Sequence, residues 1–211
     1  MSHDITQNSL VSAEEKINLY ADHNITMQDT VLHAKNQDVL HTTAGIAVKG
    51  KDGVLLMEAG NNIHLDTDTL EAKKDMTENS DNYIRTYRKT ETTNTLAAGK
   101  NITLAAGENL GARNTTVLSE NGQITVAAKG DVNLENGYNE SRDDYGLKYK
   151  ECGLLSSKTT TIKSRDESKT VTASTLSGDA VQITAGGNTN MTGSQVIGTH
   201  DVAISSGSES R

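Results

Sequence analysis

Short clusters in which apolar residues alternate with polar or small ones recur along the chain. A second cluster follows each of them eight residues later, in the pairs Ile17 and Ile25, Leu55 and Ile63, Ile102 and Leu110, Ile124 and Val132, and Val181 and Thr189. A period of two is the signature of a β-strand that is buried on one face. The clusters therefore predict strands of only three to five residues.

Turns rich in Gly, Asn and Ala separate the paired clusters, as in EAGNN, AAGEN and TAGGN. Whole units repeat about every 21 residues, from Ile25 to Ile46, from Ile102 to Ile124 and from Val181 to Val202. One strand, a corner, a second strand and a longer return form a coil that cannot bury its own apolar face. Stacked coils can bury it, with in-register hydrogen bonds between them.

The composition requires a narrow core. Phe, Trp and Pro are absent, aromatic residues are 3% of the chain, and hydrophobic residues are 34%. Disorder is the alternative that low hydrophobicity raises, but the apolar residues are regularly placed. A β-sandwich also has many short strands, but it does not explain the fixed eight-residue spacing. The pattern favours an all-β fold of the β-solenoid type over residues 1–211, as a single segment.

Two stretches, at about residues 71–95 and 137–175, interrupt the repeat. They hold many of the charged residues and most of the tyrosines, and their Thr- and Tyr-rich segments predict strands. Insertions in solenoids map to loops on one face. We therefore predict that both stretches are β-hairpins that leave the stacked coils and return to them.

The net charge and the absence of known motifs argue against several kinds of binding site and catalytic site. A net charge of −8 argues against binding of nucleic acid, which usually needs a basic patch. One cysteine cannot build a Cys-based zinc site, and no HExxH motif is present. A polysaccharide-active enzyme is the catalytic alternative for a solenoid, but no cleft of acidic, basic and aromatic residues is indicated. We expect no enzyme activity, no catalytic residue, no cofactor and no metal site.

The inserts hold the candidate interaction surface, because clustered Tyr with Arg or Lys is frequent in recognition sites. A structural role in cross-strand pairs is the alternative for the same tyrosines. The candidate residues are Tyr83, Tyr87, Arg88, Tyr138, Tyr145 and Tyr149.

Several stretches resemble the haemagglutinin repeats of filamentous-haemagglutinin-like exoproteins: GIAVKGKDGVLLMEAGNNIHLDTDTLEA, LAAGKNITLAAGENLGA, ENGQITVAAKGDVNLENG and TLSGDAVQITAGGNTNMTGSQVIGTHDVAISSG. The resemblance implies a right-handed parallel β-helix with extra-helical hairpins. It also implies that the chain is a segment of a much larger protein, secreted through a two-partner outer-membrane pore to the bacterial surface.

The resemblance leaves two roles open. Members of this family are adhesins that bind host or neighbouring cells, or filaments that deliver a C-terminal toxin in contact-dependent growth inhibition. The expected partners are the secretion pore and a target-cell surface or outer membrane. The isolated segment would have exposed strand edges at its two ends, so we also expect it to associate end to end.

Overall fold

The computed structural model describes residues 4–7, 9–28, 30–33, 39–42 and 45–207, and its regular elements are all β-strands. Two compact units are present. The coil unit comprises residues 1–68, 92–137 and 172–211, and the hairpin unit comprises residues 69–91 and 138–171.

The strands are defined here in chain order. The first are β1 (Ile5–Gln7), β2 (Leu10–Ala13), β3 (Lys16–Ala21), β4 (Ile25–Gln28), β5 (Thr30–His33), β6 (Val39–Thr42), β7 (Gly45–Val48) and β8 (Val54–Ala59). They continue with β9 (Ile63–Asp66), β10 (Thr69–Thr77), β11 (Tyr83–Glu91), β12 (Asn94–Ala98), β13 (Ile102–Ala106), β14 (Leu110–Arg113) and β15 (Thr115–Ser119). The last are β16 (Gln123–Ala128), β17 (Val132–Glu135), β18 (Gly137–Cys152), β19 (Ser157–Thr172), β20 (Thr175–Ala185), β21 (Thr189–Thr192) and β22 (Gln195–Ser206).

Each coil of the coil unit has three legs. One coil is β7, β8 and β9, the next is β12, β13 and β14, and the one after it is β15, β16 and β17. First legs pair in parallel with first legs, second with second and third with third. In β20 the first and second legs form one continuous strand, which pairs with both β15 and β16. The parallel pairing differs from that of an antiparallel sandwich and agrees with the predicted stacking of coils.

The register confirms the predicted eight-residue spacing. Second legs align Ile17, Leu55, Ile102, Ile124 and Val181 in one column. Third legs align Ile25, Ile63, Leu110, Val132 and Thr189 in another. The paired clusters of the sequence are therefore the second and third legs of successive coils.

One predicted repeat was wrong. Ile25 pairs with Ile63 in the third legs, whereas Ile46 pairs with Val11 in the first legs, so Ile25 and Ile46 are not equivalent. The return between coils, which the sequence pattern indicated only as a connection, contains a strand of its own. The other two predicted equivalences, Ile102 with Ile124 and Val181 with Val202, are confirmed.

The core is a set of aliphatic columns. Leu55, Ile102 and Ile124 are fully buried in neighbouring coils, and the buried hydrophobic side chains of the described residues are Ile, Leu, Val, Met and Ala alone. Alanines end the second legs, where Ala59, Ala106 and Ala128 align. The small side chains allow the chain to turn at once into the next corner, which accounts for the recurring Ala-Ala and Ala-Gly pairs.

Close backbone contact and an asparagine ladder define the corner between the second and third legs. A Cβ on Gly107 would overlap the carbonyl oxygen of Gly60 in the coil below, so only glycine fits there without a shift. Two residues later, Oδ1 of Asn109 accepts the backbone N–H of Asp131 at 2.9 Å, and Oδ1 of Asn62 accepts that of Asn109 at 3.0 Å. Side-chain oxygens thus join successive coils where the strands stop.

The hairpins all interrupt the chain between a third leg and the next first leg. β10 and β11 follow β9, and β18 and β19 follow β17. A third antiparallel pair, β5 with β6, follows β4 and was not predicted from the sequence. After β14 and after β21 no hairpin intervenes, and there the connection contains a residue with positive φ: Asn114 at 45° and Gly193 at 55°.

Buried polar side chains hold this insertion corner within the coil unit. Asn114 donates from Nδ2 to the carbonyl oxygen of Thr92 at 2.8 Å. Ser174 donates to the carbonyl oxygen of Glu135 at 2.6 Å and accepts the N–H of Thr115 at 3.1 Å. Buried side-chain hydrogen bonds therefore hold this corner both where a hairpin is inserted, as at Ser174, and where none is, as at Asn114.

Candidate interaction surface

The hairpin unit is a four-stranded sheet in the order β10-β11-β18-β19. β11 pairs antiparallel with β10 and also with β18, although 45 residues of the chain, 92–136, lie between β11 and β18. Of the Thr- and Tyr-rich insert segments predicted to be strands, YIRTYRKT, YGLKYK and KTTTIKS are confirmed, whereas SKTVTASTL is divided between the end of β19 and the start of β20. That the two inserts share one sheet is a finding that the sequence did not reveal.

Alternation divides the six predicted residues between the two faces of this sheet. Residues that are opposite in an antiparallel register share a face, as Tyr87 does with Arg142 and Ile84 with Tyr145. Tyr83, Tyr87 and Tyr138 lie on one face, the charged face, and Arg88, Tyr145 and Tyr149 lie on the other, the apolar face. The structure thus separates the candidate residues into two groups of three. Their role in recognition stays a prediction.

On the charged face, each tyrosine ring has a cation over it. The Lys169 Nζ lies 4.1 Å from the ring centre of Tyr138, and the Arg85 guanidinium carbon lies 4.6 Å from that of Tyr83. Lys73 lies 5.3 Å from the ring centre of Tyr87. Such contacts at exposed sites contribute about 0.5–1 kcal/mol each. Neighbouring side chains half-bury these three rings, which agrees with the alternative of a structural role in cross-strand pairs, while a role in recognition stays a prediction.

Hydrogen bonds and charges shift the pKa values on this face. The Tyr87 hydroxyl donates to Glu71 at 3.2 Å, and Lys73 contacts the same carboxylate at 2.9 Å. The hydrogen bond from Lys73 lowers the pKa of Glu71. Desolvation, followed by the charge of Glu71, raises the pKa of Tyr87. The phenol therefore stays protonated and continues to donate at neutral pH.

Asp81, in the turn between β10 and β11, ties three segments together. Its carboxylate contacts the Nζ atoms of Lys148 at 2.9 Å and Lys163 at 3.0 Å. Beside it, Oδ1 of Asn82 accepts the backbone N–H of Lys148 at 2.7 Å. The hydrogen bonds from Lys148 and Lys163 lower the pKa of Asp81. These contacts align the turn between β10 and β11, the shorter hairpin, with Lys148 in β18 of the longer hairpin.

The apolar face carries large side chains that nothing in the unit covers. Met76, Ile84 and Tyr145 are cross-strand neighbours and are 56%, 51% and 42% exposed. Leu147 and Tyr149 continue the row along β18 on the same face, and both are exposed. A sheet with one face this apolar and open is typical of an interaction surface.

Arg88 has a defined partner on the apolar face. Its Nη2 contacts Oδ2 of Asp143 at 2.7 Å, and its Nη1 donates to the carbonyl oxygen of Arg142 at 3.2 Å. The hydrogen bond between Arg88 and Asp143 raises the pKa of the arginine and lowers that of the aspartate. Arg88 therefore joins β11 to β18.

The end of the longer hairpin holds two residues that were not selected from the sequence. Leu154 and Leu155, between β18 and β19, are 102% and 97% exposed. The segment from Cys152 to Ser157 (CGLLSS) contains no charged residue. A leucine pair in a short uncharged turn between two polar strands was the signal available in the sequence.

In the part of the chain that the structure describes, no three His, Cys, Asp or Glu side chains are grouped to hold a metal ion. Over the same residues, no helix is long and apolar enough to cross a membrane.

Comparison with known proteins places the chain in a family. The hemagglutinin repeat family matches residues 76–209, which is more than half of the chain. The chain belongs to this family. This hemagglutinin-repeat match includes β11, the whole of β18 and β19, and the turn with the two leucines. It confirms the predicted resemblance to filamentous-haemagglutinin-like exoproteins, which are secreted and exposed at the bacterial surface.

Two relatives of the hemagglutinin-repeat chain are named as nucleases. The tRNA nuclease CdiA-2 of Burkholderia pseudomallei (strain 1026b) is 29% identical over 144 residues, which are 65% of this chain and 4% of that protein. The 16S rRNA endonuclease CdiA of Enterobacter cloacae subsp. cloacae is 36% identical over 117 residues, which are 53% of this chain and 3% of that protein. The chain thus spans only a few per cent of the length of either relative. No solved structure matches it.

Proposed function

We propose that the chain is a structural and interaction segment, without catalysis, of a large secreted bacterial surface protein. The stacked coils form a right-handed parallel β-helix that serves as a rod, and the hairpin unit provides the contact surface. The observation that carries the proposal is the exposed apolar face of the hairpin sheet, with Met76, Ile84 and Tyr145 each at least 42% exposed. A sheet of purely structural use would have no reason to leave these side chains open.

The contact serves the delivery of a C-terminal toxin to a target cell. Support comes from the relatives, which are named tRNA nuclease and 16S rRNA endonuclease and which match this chain only over 4% and 3% of their lengths. A secreted nuclease that acts on tRNA or rRNA would meet its substrate only inside another cell, and a repeat segment far shorter than the protein is suited to the contact that precedes entry. Secretion of the parent protein would proceed through a two-partner outer-membrane pore.

Adhesion to a host or neighbouring cell is the second candidate. The observation that favours it is the pair of exposed tyrosines on the apolar face, Tyr145 and Tyr149, because Tyr is enriched at protein interfaces. Adhesion needs the hairpin unit for binding but does not need a toxin. The two candidates therefore differ in what is lost when the hairpins are removed.

The test replaces both hairpins of the hairpin unit in the parent protein. Each hairpin is exchanged for the short connection that follows β14, in which Asn114 has a positive φ of 45°. The exchanged residues are 69–91 and 138–171. The matched control replaces the hairpin of β5 and β6 in the same way. We expect the first variant to be secreted and to lose toxin transfer, and the control to keep it.

The outcomes separate the candidates. Loss of transfer with normal cell binding supports delivery, and loss of binding without a toxin-dependent phenotype supports adhesion. Unchanged binding and transfer in the variant that lacks both hairpins would contradict both roles for this surface.

A further inference from the structure

The longer hairpin extends well beyond its neighbours. Lys148 lies at the level of the β10–β11 turn, since its backbone N–H reaches Asn82 at 2.7 Å. Four more residues of β18 lead to Cys152, and at about 3.3 Å per residue they extend the two-stranded ribbon by about 13 Å. Leu154 and Leu155 are at its end, in a turn closed by the hydrogen bond from Gly153 N–H to the carbonyl oxygen of Ser156 at 2.7 Å.

An exposed apolar row on β18 leads toward the two leucines. Tyr145, Leu147 and Tyr149 follow one another on the apolar face of β18, and all three are at least 40% exposed. Glu151 is the next residue on that face, so the apolar row ends at Tyr149, five residues before Leu154. The nearly complete exposure of both leucines means that no part of this unit shields them from water.

The charges around the tip are mostly positive on a negative chain. Residues 148–158 contain Lys148, Lys150 and Lys158 against Glu151, which is a net charge of +2 (three minus one), whereas the whole chain carries −8. Lys148 contacts Asp81, but among the described ion pairs none includes Lys150 or Lys158. These two cations, on long flexible stems, flank the uncharged tip from both strands.

We propose that the tip, with Leu154 and Leu155 at its end, inserts into the interface of a lipid bilayer that carries anionic headgroups. This inference rests on the proposed contact function and names its partner. Leucines take the apolar region, tyrosines the headgroup region where their amphipathic rings are favoured, and Lys150 and Lys158 reach the phosphates.

Length and charge favour lipid over a protein pocket. A ribbon of about 13 Å exceeds the 5–10 Å to which interfacial amphipathic elements are buried. Positive charge beside the tip is complementary to anionic lipid, each Lys adding to the attraction. Two leucines form a weak, reversible anchor, so that the lysines supply the second signal that stable attachment needs.

The experiment measures binding of the 211-residue chain to vesicles by co-sedimentation. One set of vesicles contains equal parts of phosphatidylglycerol and phosphatidylcholine, and the other is phosphatidylcholine alone. The test variant is Leu154→Ser with Leu155→Ser. The matched control is Val171→Ser, an exposed apolar residue at the opposite end of β19 that is 57% exposed. Circular dichroism checks that each variant keeps its strand content.

We expect the chain and the control to bind the anionic vesicles equally, and the leucine double variant to bind at least about tenfold more weakly. Lys150→Gln with Lys158→Gln should weaken binding to the anionic vesicles and leave the weak binding to phosphatidylcholine unchanged. Equal binding by the leucine double variant would overturn the inference. Absence of vesicle binding by the unaltered chain would overturn it too. The inference would also fail if the leucines affected only self-association of the chain, or only its capture of a target-cell protein.

This test and the test of function fail separately. Vesicle binding is measured with no cell present, so its failure leaves the delivery and adhesion proposals standing. The opposite result is also possible: the unaltered chain binds vesicles normally, and the hairpin-replaced protein keeps full toxin transfer and cell binding. That result would overturn the proposed function but leave the lipid contact standing.

Discussion

Leu104→Ala tests the stacked core at a central position. The Leu104 side chain is 1% exposed and lies in its column between Met57 of the preceding coil and Val126 of the following one. The substitution removes three carbon atoms from a site with no contact to water. Thr103→Ala, on the same strand and pointing to the other side, is the matched control, because it removes atoms outside the core.

The magnitude follows from burial and from the rigidity of the ladder. Three buried carbon groups at about 0.8 kcal/mol each give about 2.4 kcal/mol of lost transfer free energy. Backbone hydrogen bonds hold adjacent coils about 4.8 Å apart, so that Met57 and Val126 cannot close the space, and a cavity term is added. We expect a loss of about 3–4 kcal/mol in the free energy of unfolding of the coil unit, against about 0.5 kcal/mol for Thr103→Ala.

Urea unfolding followed by far-ultraviolet circular dichroism measures this difference. With a slope of about 1–3 kcal/mol/M, the midpoint for Leu104→Ala should fall by about 1–4 M. Amide hydrogen exchange in β13 and its neighbours assigns the loss to the coil unit, because destabilisation should spread to adjacent coils. If Leu104→Ala were no more destabilising than Thr103→Ala, the column would not be the source of stability.

Three further expectations concern the corners and the charged face. Gly107→Ala should destabilise the chain by about 1–3 kcal/mol through overlap with the Gly60 carbonyl, whereas Gly111→Ala, whose new Cβ would lie in ordinary van der Waals contact with His64 at 3.7 Å, should be nearly neutral in thermal unfolding. Asn109→Ala should cost about 0.5–1.5 kcal/mol in the same assay, because a hydrogen bond between coils is lost; a neutral result would show that the ladder is dispensable. The carboxyl carbon shift of Asp81 should titrate below the ordinary pKa of about 3.9. A depressed folded-state pKa means that its ion pairs stabilise the hairpin unit fully above the ordinary pKa, and that this stability is lost as pH falls from there through the lower folded-state pKa. A titration at the ordinary pKa would contradict the ion pairs.

The part of the fold that the sequence predicts is the part that each coil repeats. Second and third legs carry large apolar residues eight positions apart in each coil. Pairs such as Ile102 and Leu110 can therefore be recognised in the sequence as two legs of one coil. First legs are harder to recognise, because hairpins of different lengths separate them from the preceding coil. Ile46 therefore took the place of a third-leg residue in the predicted repeat, although it pairs with Val11.

The candidate surface is predictable in content but not in arrangement. Tyr and Arg in the inserts are visible in the sequence, and so are the strands that carry them. The pairing of Tyr83 with Gly146 joins segments from two separate inserts, and no local pattern encodes that register. Only the register decides that Tyr83 lies on the charged face and Tyr145 on the apolar one.

The central claim is that successive coils stack in parallel with one fixed register, and crosslinking of paired positions tests it most directly. In a Cys152→Ser background, Thr103→Cys is combined either with Thr125→Cys, its register partner, or with Ala127→Cys, two residues further along. In-register Cα atoms lie about 4.8 Å apart and the shifted pair about 8 Å. We expect efficient crosslinking by dibromobimane for the first pair and little for the second. Equal or reversed efficiencies would contradict the stacking.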